Sequence, residues 1–185
     1  MSLTPVIQAL KHLEFQGLVK YEPNKGYSTE PMSMKEVQEI YETRELIELS
    51  LLPEVIANLD EEGIRKLHSR LNSDNESTGS FLNEQLLNDK EFHLSLAALS
   101  GKEVQVQILQ HLFDLLYLKY RGSLLFIRSK DPVGSEHKKI FDAVVSHDVE
   151  EARKAMKDHF SKIKSQALKA LGKMIAEKSL QNNLP

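Results

Sequence analysis

From Ser33 onward the apolar residues of this chain return every three or four positions, and the stretches between them open and close on helix-cap signals. That period points to packed helices. Ser33-x-x-Glu36 is a capping box, and it opens a helix to about Leu59 with Val37, Ile40, Arg44, Ile47, Leu51 and Val55 on one face. Asp60 caps a second helix to about Leu71, and NSDNESTGS, residues 72–80, reads as a polar linker. A third helix is expected over about 81–100, with Gly101 as its C-cap. A fourth, over about 102–126, is apolar almost all round, which predicts a central position. Asp131-Pro132 starts a fifth helix to about Ser146. Asp148-x-x-Glu151 starts a sixth to about Lys178, and the tail QNNLP is expected to fray.

The first thirty residues have a different character. TPVIQALKHLEFQG, residues 4–17, carries Val6, Ala9, Leu10 and Leu13 at helical spacing behind a Thr4-Pro5 start, and Gly17 closes it. LVKY and YST then flank Pro-Asn-Lys-Gly, which reads as a small hairpin. The expected fold is therefore all-α: an antiparallel bundle of about six helices over 32–180, preceded by a helix and a short β-hairpin over 1–31.

The totals bound the chemistry. A chain of 185 residues suits one domain, or one domain plus a fragment, and can bury a core without staples. A net charge of −3 argues against a chain that is basic throughout, though it leaves room for a local basic surface. The absence of cysteine rules out disulfides, thiolate metal sites and cysteine nucleophiles, so any metal must use nitrogen and oxygen ligands. No apolar run approaches the roughly 18 residues of a membrane span and no signal peptide is visible, so no membrane is expected and the cytoplasm is the default compartment.

Against that background, NDKEFHLSLAALSG, residues 88–101, poses a problem. Leu82, Leu86, Leu96 and Leu99 form an apolar stripe, and Asp89 and His93 lie inside it, four apart. Residues at that spacing sit one above the other, so their side chains can converge on one ion. His137 shares a face with Ile140, Phe141 and Val144, and His159 sits between Met156, Phe160 and Ile163. Three helices thus push one carboxylate and three imidazoles toward the core. Such a set suits zinc, nickel, manganese or another divalent ion. Any one of these histidines alone is more often a core residue hydrogen-bonded to a carbonyl, and Asp89–His93 alone reads equally as a hydrogen bond within one helix.

His111 is a spare inward candidate, whereas His12, His68 and His147 read as surface or helix-end residues. Arg44 lies in an apolar stripe with Glu48 one turn on, which allows either an ion pair at a helix seam or an anchor for an anionic ligand. The basic run Arg153, Lys154, Lys157, Lys162 and Lys164 reads as a solvated face.

Taken together, these pieces resemble the GntR-type transcriptional regulators of the FadR subfamily. TPVIQALKHLEFQGLV followed by PNKGYST looks like the recognition helix and wing of their winged helix-turn-helix. Arg44-x-x-Ile47-Glu48, Asp89-x-x-x-His93 with Leu96 and Ser100-Gly101, His137 with Ile140 and Ala143, and His159 after Ala152 and Met156 look like their ligand-sensing FCD domain. The resemblance implies that Asp89, His93, His137 and His159 bind a divalent metal, zinc first. It implies a small organic carboxylate as effector, with Arg44 close enough to take part. It implies a homodimer on a pseudo-palindromic operator, with Thr4, Pro5, Gln8, Lys11 and Lys25 as DNA contacts.

Two departures from the family pattern stand out. About 30 residues precede the bundle where such a DNA-binding domain takes roughly 60, so this chain is expected to bind operator weakly or not at all. Ile7 and Gln8 replace the Arg-Glu usual after TPV, so the family's usual operator preference is not carried over. The competing readings are a helical metalloenzyme using a metal-bound water and a metal-free dimerisation module. No general acid or base is evident near the candidate ligands, and the paired Glu-x-x-His of di-iron bundles is missing.

Overall fold

A computed structural model describes residues 3–29, 32–76, 82–120 and 134–182. Among the described residues, seven helices and one hairpin form in the order α1 (Leu3–Phe15), β1 (Lys20–Glu22), β2 (Gly26–Ser28), α2 (Met34–Ala57), α3 (Glu61–Glu76), α4 (Leu82–Ala98), α5 (Glu103–Tyr120), α6 (Gly134–Val145) and α7 (Val149–Asn182). The strands pair antiparallel, Tyr21 opposite Tyr27, and the turn between them uses left-handed φ values at Asn24 (66°) and Gly26 (89°). Thr4, Pro5, Gln8 and Lys11 on α1 are exposed, as is Lys25 at the hairpin turn. No residue of α1 is buried.

The cap signals work as local chemistry requires. Ser33 Oγ accepts from Glu36 N at 3.1 Å, Asp60 Oδ1 from Gly63 N at 2.7 Å and Asp148 Oδ1 from Glu151 N at 2.9 Å. Gly101 takes φ 70° just past α4.

Helix α2 is the centre of the bundle, packing against α4, α5, α6 and α7. Its stripe Val37, Ile40, Leu51, Leu52 and Val55 is buried, and Arg44 and Glu48 are buried in the same stripe. Phe92, Leu96, Ile140, Val144, Met156 and Phe160 close the core from α4, α6 and α7.

Four expectations need correction. Residues 72–76 continue α3 rather than open a linker, because one more hydrogen bond per residue extends a helix already packed at Leu71. α7 runs through Asn182, anchored by buried Ala167, Ala170 and Leu171, so Gln181 and Asn182 are helical. α5 is not central: it packs on α2 and α4 and leaves Val104, Ile108 and Leu118 exposed. His111 is exposed on the same helix and points away from the core. The expected helix start at Asp131-Pro132 and the stretch 121–126 lie outside the described residues.

Candidate metal centre

Asp89 and His93 stand one turn apart on α4, His137 on the first half of α6 and His159 on α7. Each of the four offers one ligand atom, and these atoms all lie within 4.8 Å of one another. The three imidazoles are buried and the Asp89 side chain is 15% exposed. Asp89 Oδ1 lies 3.5 Å from His93 Nε2, 3.3 Å from His137 Nε2 and 3.7 Å from His159 Nε2. His93 Nε2 and His159 Nε2 are 3.0 Å apart.

These spacings suit a single ion. With bonds of about 2.0–2.2 Å, two donors on one ion stand about 2.9 Å apart at a right angle and about 3.4 Å apart at the tetrahedral angle. The far nitrogens of His93 and His159 are already engaged by carboxylates, as is usual for ligating histidines. His93 Nδ1 donates to Glu48 Oε2, and His159 Nδ1 donates to Glu136 Oε2 at 3.1 Å. Phe92 stacks on His137 with centroids 4.2 Å apart and fixes that ring's plane.

The electrostatics follow from burial and these partners. Burial alone pulls the His93 imidazolium down, but Glu48 and Asp89 outweigh it and hold the pKa up at about 9. Burial dominates at His159 and pushes it down to about 4. The two assignments fit one network, in which His93 is doubly protonated and its Nε2–H donates to the bare Nε2 of His159. Burial would raise Asp89, yet His93, His137 and Arg44 around it hold it well below the usual carboxylate range.

Arg44 borders this cluster. Its Nε donates to Glu48 Oε1 at 3.2 Å and its guanidinium lies over the Phe113 ring at 3.8 Å. Its Nη2 stands 3.7 Å from Asp89 Oδ2 and is buried without a hydrogen-bond partner among the described residues. Of the two alternatives that the sequence left open for Arg44, the ion pair with Glu48 exists, and it lies against the histidines. The sequence pairs Glu48 with Arg44 but says nothing of its contact with His93. It gives no sign of Glu136 except its place beside His137. Glu136 also accepts from Lys162, one turn after His159.

The family comparisons agree with this architecture. The FCD domain family matches residues 39–162. The chain is 28% identical over 167 residues to the HTH-type transcriptional regulator YdhC of Bacillus subtilis, covering 87% of this chain and 73% of that protein. It is 27% identical over 169 residues to the HTH-type transcriptional repressor GlaR of Escherichia coli, covering 86% and 76%. Among solved structures, E. coli McbR/YncC superposes with a TM-score of 0.76 at 18% identity, over 91% of this chain and 81% of that one. A putative GntR regulator from Rhodococcus sp. RHA1 superposes with a TM-score of 0.75 at 20% identity, over 92% and 82%. No helix among the described residues is long and apolar enough to cross a membrane. An all-α bundle behind a helix and hairpin, matched by this family and these relatives, places the chain among the GntR-family transcriptional regulators with an FCD domain.

Proposed function

We propose that this regulator responds to a small organic carboxylate, and that Asp89, His93, His137 and His159 hold one divalent metal that helps bind it. The observation that carries this reading is the convergence of four nitrogen and oxygen donors within 4.8 Å, two of them backed by carboxylates. Zinc is the first candidate, and nickel and manganese suit the same donors. When bound, the ion supplies a Lewis-acidic position for a ligand oxygen. Arg44 supports the effector part of the reading. Its buried Nη2 lacks a hydrogen-bond acceptor among the described residues, and a carboxylate is the acceptor that a guanidinium matches best. The protein works as a homodimer whose full-length form reads operator DNA, α1 and the hairpin supplying part of that contact, and the effector acts by favouring one arrangement of the pair over another.

The test is elemental analysis of protein purified without chelator or a nickel column. We expect about one metal per chain, falling sharply in Asp89→Ala and His159→Ala. Metal-loaded protein should then show a thermal shift with one or more small di- or hydroxycarboxylates. A metal content near zero that added ion cannot raise would remove the metal from the proposal. A panel of carboxylates without any shift would remove the effector.

A further inference from the structure

The basic run on α7 reads in the sequence as a solvated face, and for most of the run the structure agrees. Arg153 pairs with Glu150 at 3.9 Å, Lys154 with Glu151 at 3.4 Å and Lys164 with Glu42 at 3.6 Å. Among the described residues, none of these three carboxylates touches a candidate ligand. Lys162 differs. Its Nζ donates to Glu136 Oε1, while Glu136 Oε2 accepts from His159 Nδ1 at 3.1 Å. One carboxylate is thus engaged on both oxygens, by an ammonium and by an imidazole of the candidate metal centre.

Local geometry explains why the three meet. Lys162 follows His159 by three positions, so their side chains are neighbours on α7. Glu136 stands in the first turn of α6, where the helix dipole favours a carboxylate, and it immediately precedes His137. The first turn of α6 therefore serves two donors: His137 stands in the cluster itself, and Glu136 reaches His159 from behind.

The same three-part arrangement recurs at His93. Arg44 Nε donates to Glu48 Oε1, and Glu48 Oε2 accepts from His93 Nδ1. In both arms a cation holds one carboxylate oxygen, the other oxygen takes the Nδ1–H, and Nε2 is left for the cluster, where the two Nε2 atoms stand 3.0 Å apart. The arms differ in their setting. The Arg44 and Glu48 side chains are 1% and 2% exposed, whereas those of Lys162 and Glu136 are 37% and 16% exposed. Packing fixes the buried guanidinium, but at the edge of the bundle Glu136 faces water and depends on its ion pair to stay on His159.

We propose that Lys162 is a positioning residue for the metal centre: it clamps Glu136 onto His159 Nδ1 and so holds the His159 ring with Nε2 toward the ion. The inference rests on the reading that Asp89, His93, His137 and His159 bind a metal, and it adds a residue that the pattern of ligands does not name. The ammonium also has a direct effect of opposite sign, because a positive charge near a divalent cation repels it. Only the clamp acts through Glu136, and that separates the two.

The test is a double-mutant cycle on zinc affinity, measured by competition with a chromophoric chelator, for the unmodified chain, Lys162→Met, Glu136→Gln and the double variant. Direct repulsion is present in both backgrounds and cancels in the cycle. Glu136→Gln should weaken zinc about 10–100-fold. Lys162→Met should be about two- to fivefold more harmful when Glu136 is present than when it is replaced, the range that a partly exposed ion pair supports. Lys162→Arg keeps the clamp and should restore the unmodified affinity. A second readout needs no metal. In the metal-free chain the Nδ1–H of His159, followed by nuclear magnetic resonance, should exchange with water faster in Lys162→Met than in the unmodified chain or in Lys162→Arg. An equal effect of Lys162→Met in both backgrounds, or an unchanged exchange rate, overturns the clamp and leaves the metal reading standing. A chain that takes up no zinc overturns the metal reading and this role with it, and the exchange rates then tell whether the clamp exists apart from any ion.

Discussion

Glu48→Gln separates what the buried carboxylate does for the fold from what it would do for the proposed metal. Glu48 uses both oxygens, one on Arg44 Nε at 3.2 Å and the other on His93 Nδ1, and it is 3% exposed. Glutamine keeps the shape and one acceptor but loses the charge. Each charge-assisted bond contributes about 1.5–3 kcal/mol, and breaking a buried pair costs about 3–5 kcal/mol, so the metal-free variant should lose a few kcal/mol in urea unfolding. The metal effect is a separate quantity. Loss of a carboxylate behind a ligating histidine weakens binding about 10–100-fold. At zinc set to a hundred times the unmodified chain's dissociation constant, the metal adds about 2.7 kcal/mol to that chain. The same zinc should add only about 0.4–1.4 kcal/mol to the variant. The assay is paired urea titrations with and without zinc, read by circular dichroism. An equal zinc increment in both proteins would refute the role of Glu48 behind His93, however much the metal-free variant is destabilised.

Other outcomes follow from the same geometry. Arg44→Lys keeps the charge beside Glu48 but loses the planar fork, so metal content should persist while carboxylate affinity, measured by calorimetry, falls at least about tenfold. Full retention of affinity would remove Arg44 from the effector site. The pH dependence of metal uptake should be set by His93, whose pKa of about 9 leaves it protonated in the metal-free form at neutral pH. Metal binding must expel that proton, so affinity should rise with pH up to about 9 and fall below it. His159, held down at about 4, has no proton to give at neutral pH. Calorimetry in buffers of different ionisation enthalpy should find about one proton released from His93 per metal at pH 7. No release would contradict the protonated His93.

The sequence by itself settled what depends on near neighbours. The capping residues at Ser33, Asp60 and Asp148, and the three-to-four-residue return of apolar side chains, specify helices without reference to the rest of the chain. Asp89 and His93 were legible as a pair because four residues is one helical turn. That His137 and His159 face inward could also be read from their apolar neighbours. Their convergence with Asp89 on one point came only through the family resemblance and not from their neighbours, because it depends on how α4, α6 and α7 cross. The outer carboxylates show the limit most clearly. Glu48 is 45 positions from His93 and Glu136 is 23 from His159, and no local pattern links either pair. The place of α5 failed for a different reason. Apolarity tells how much of a helix must leave water, but not which surface covers it. The tertiary structure put α2 at the centre and left α5 at the edge, because α2 alone packs against α4, α5, α6 and α7 together.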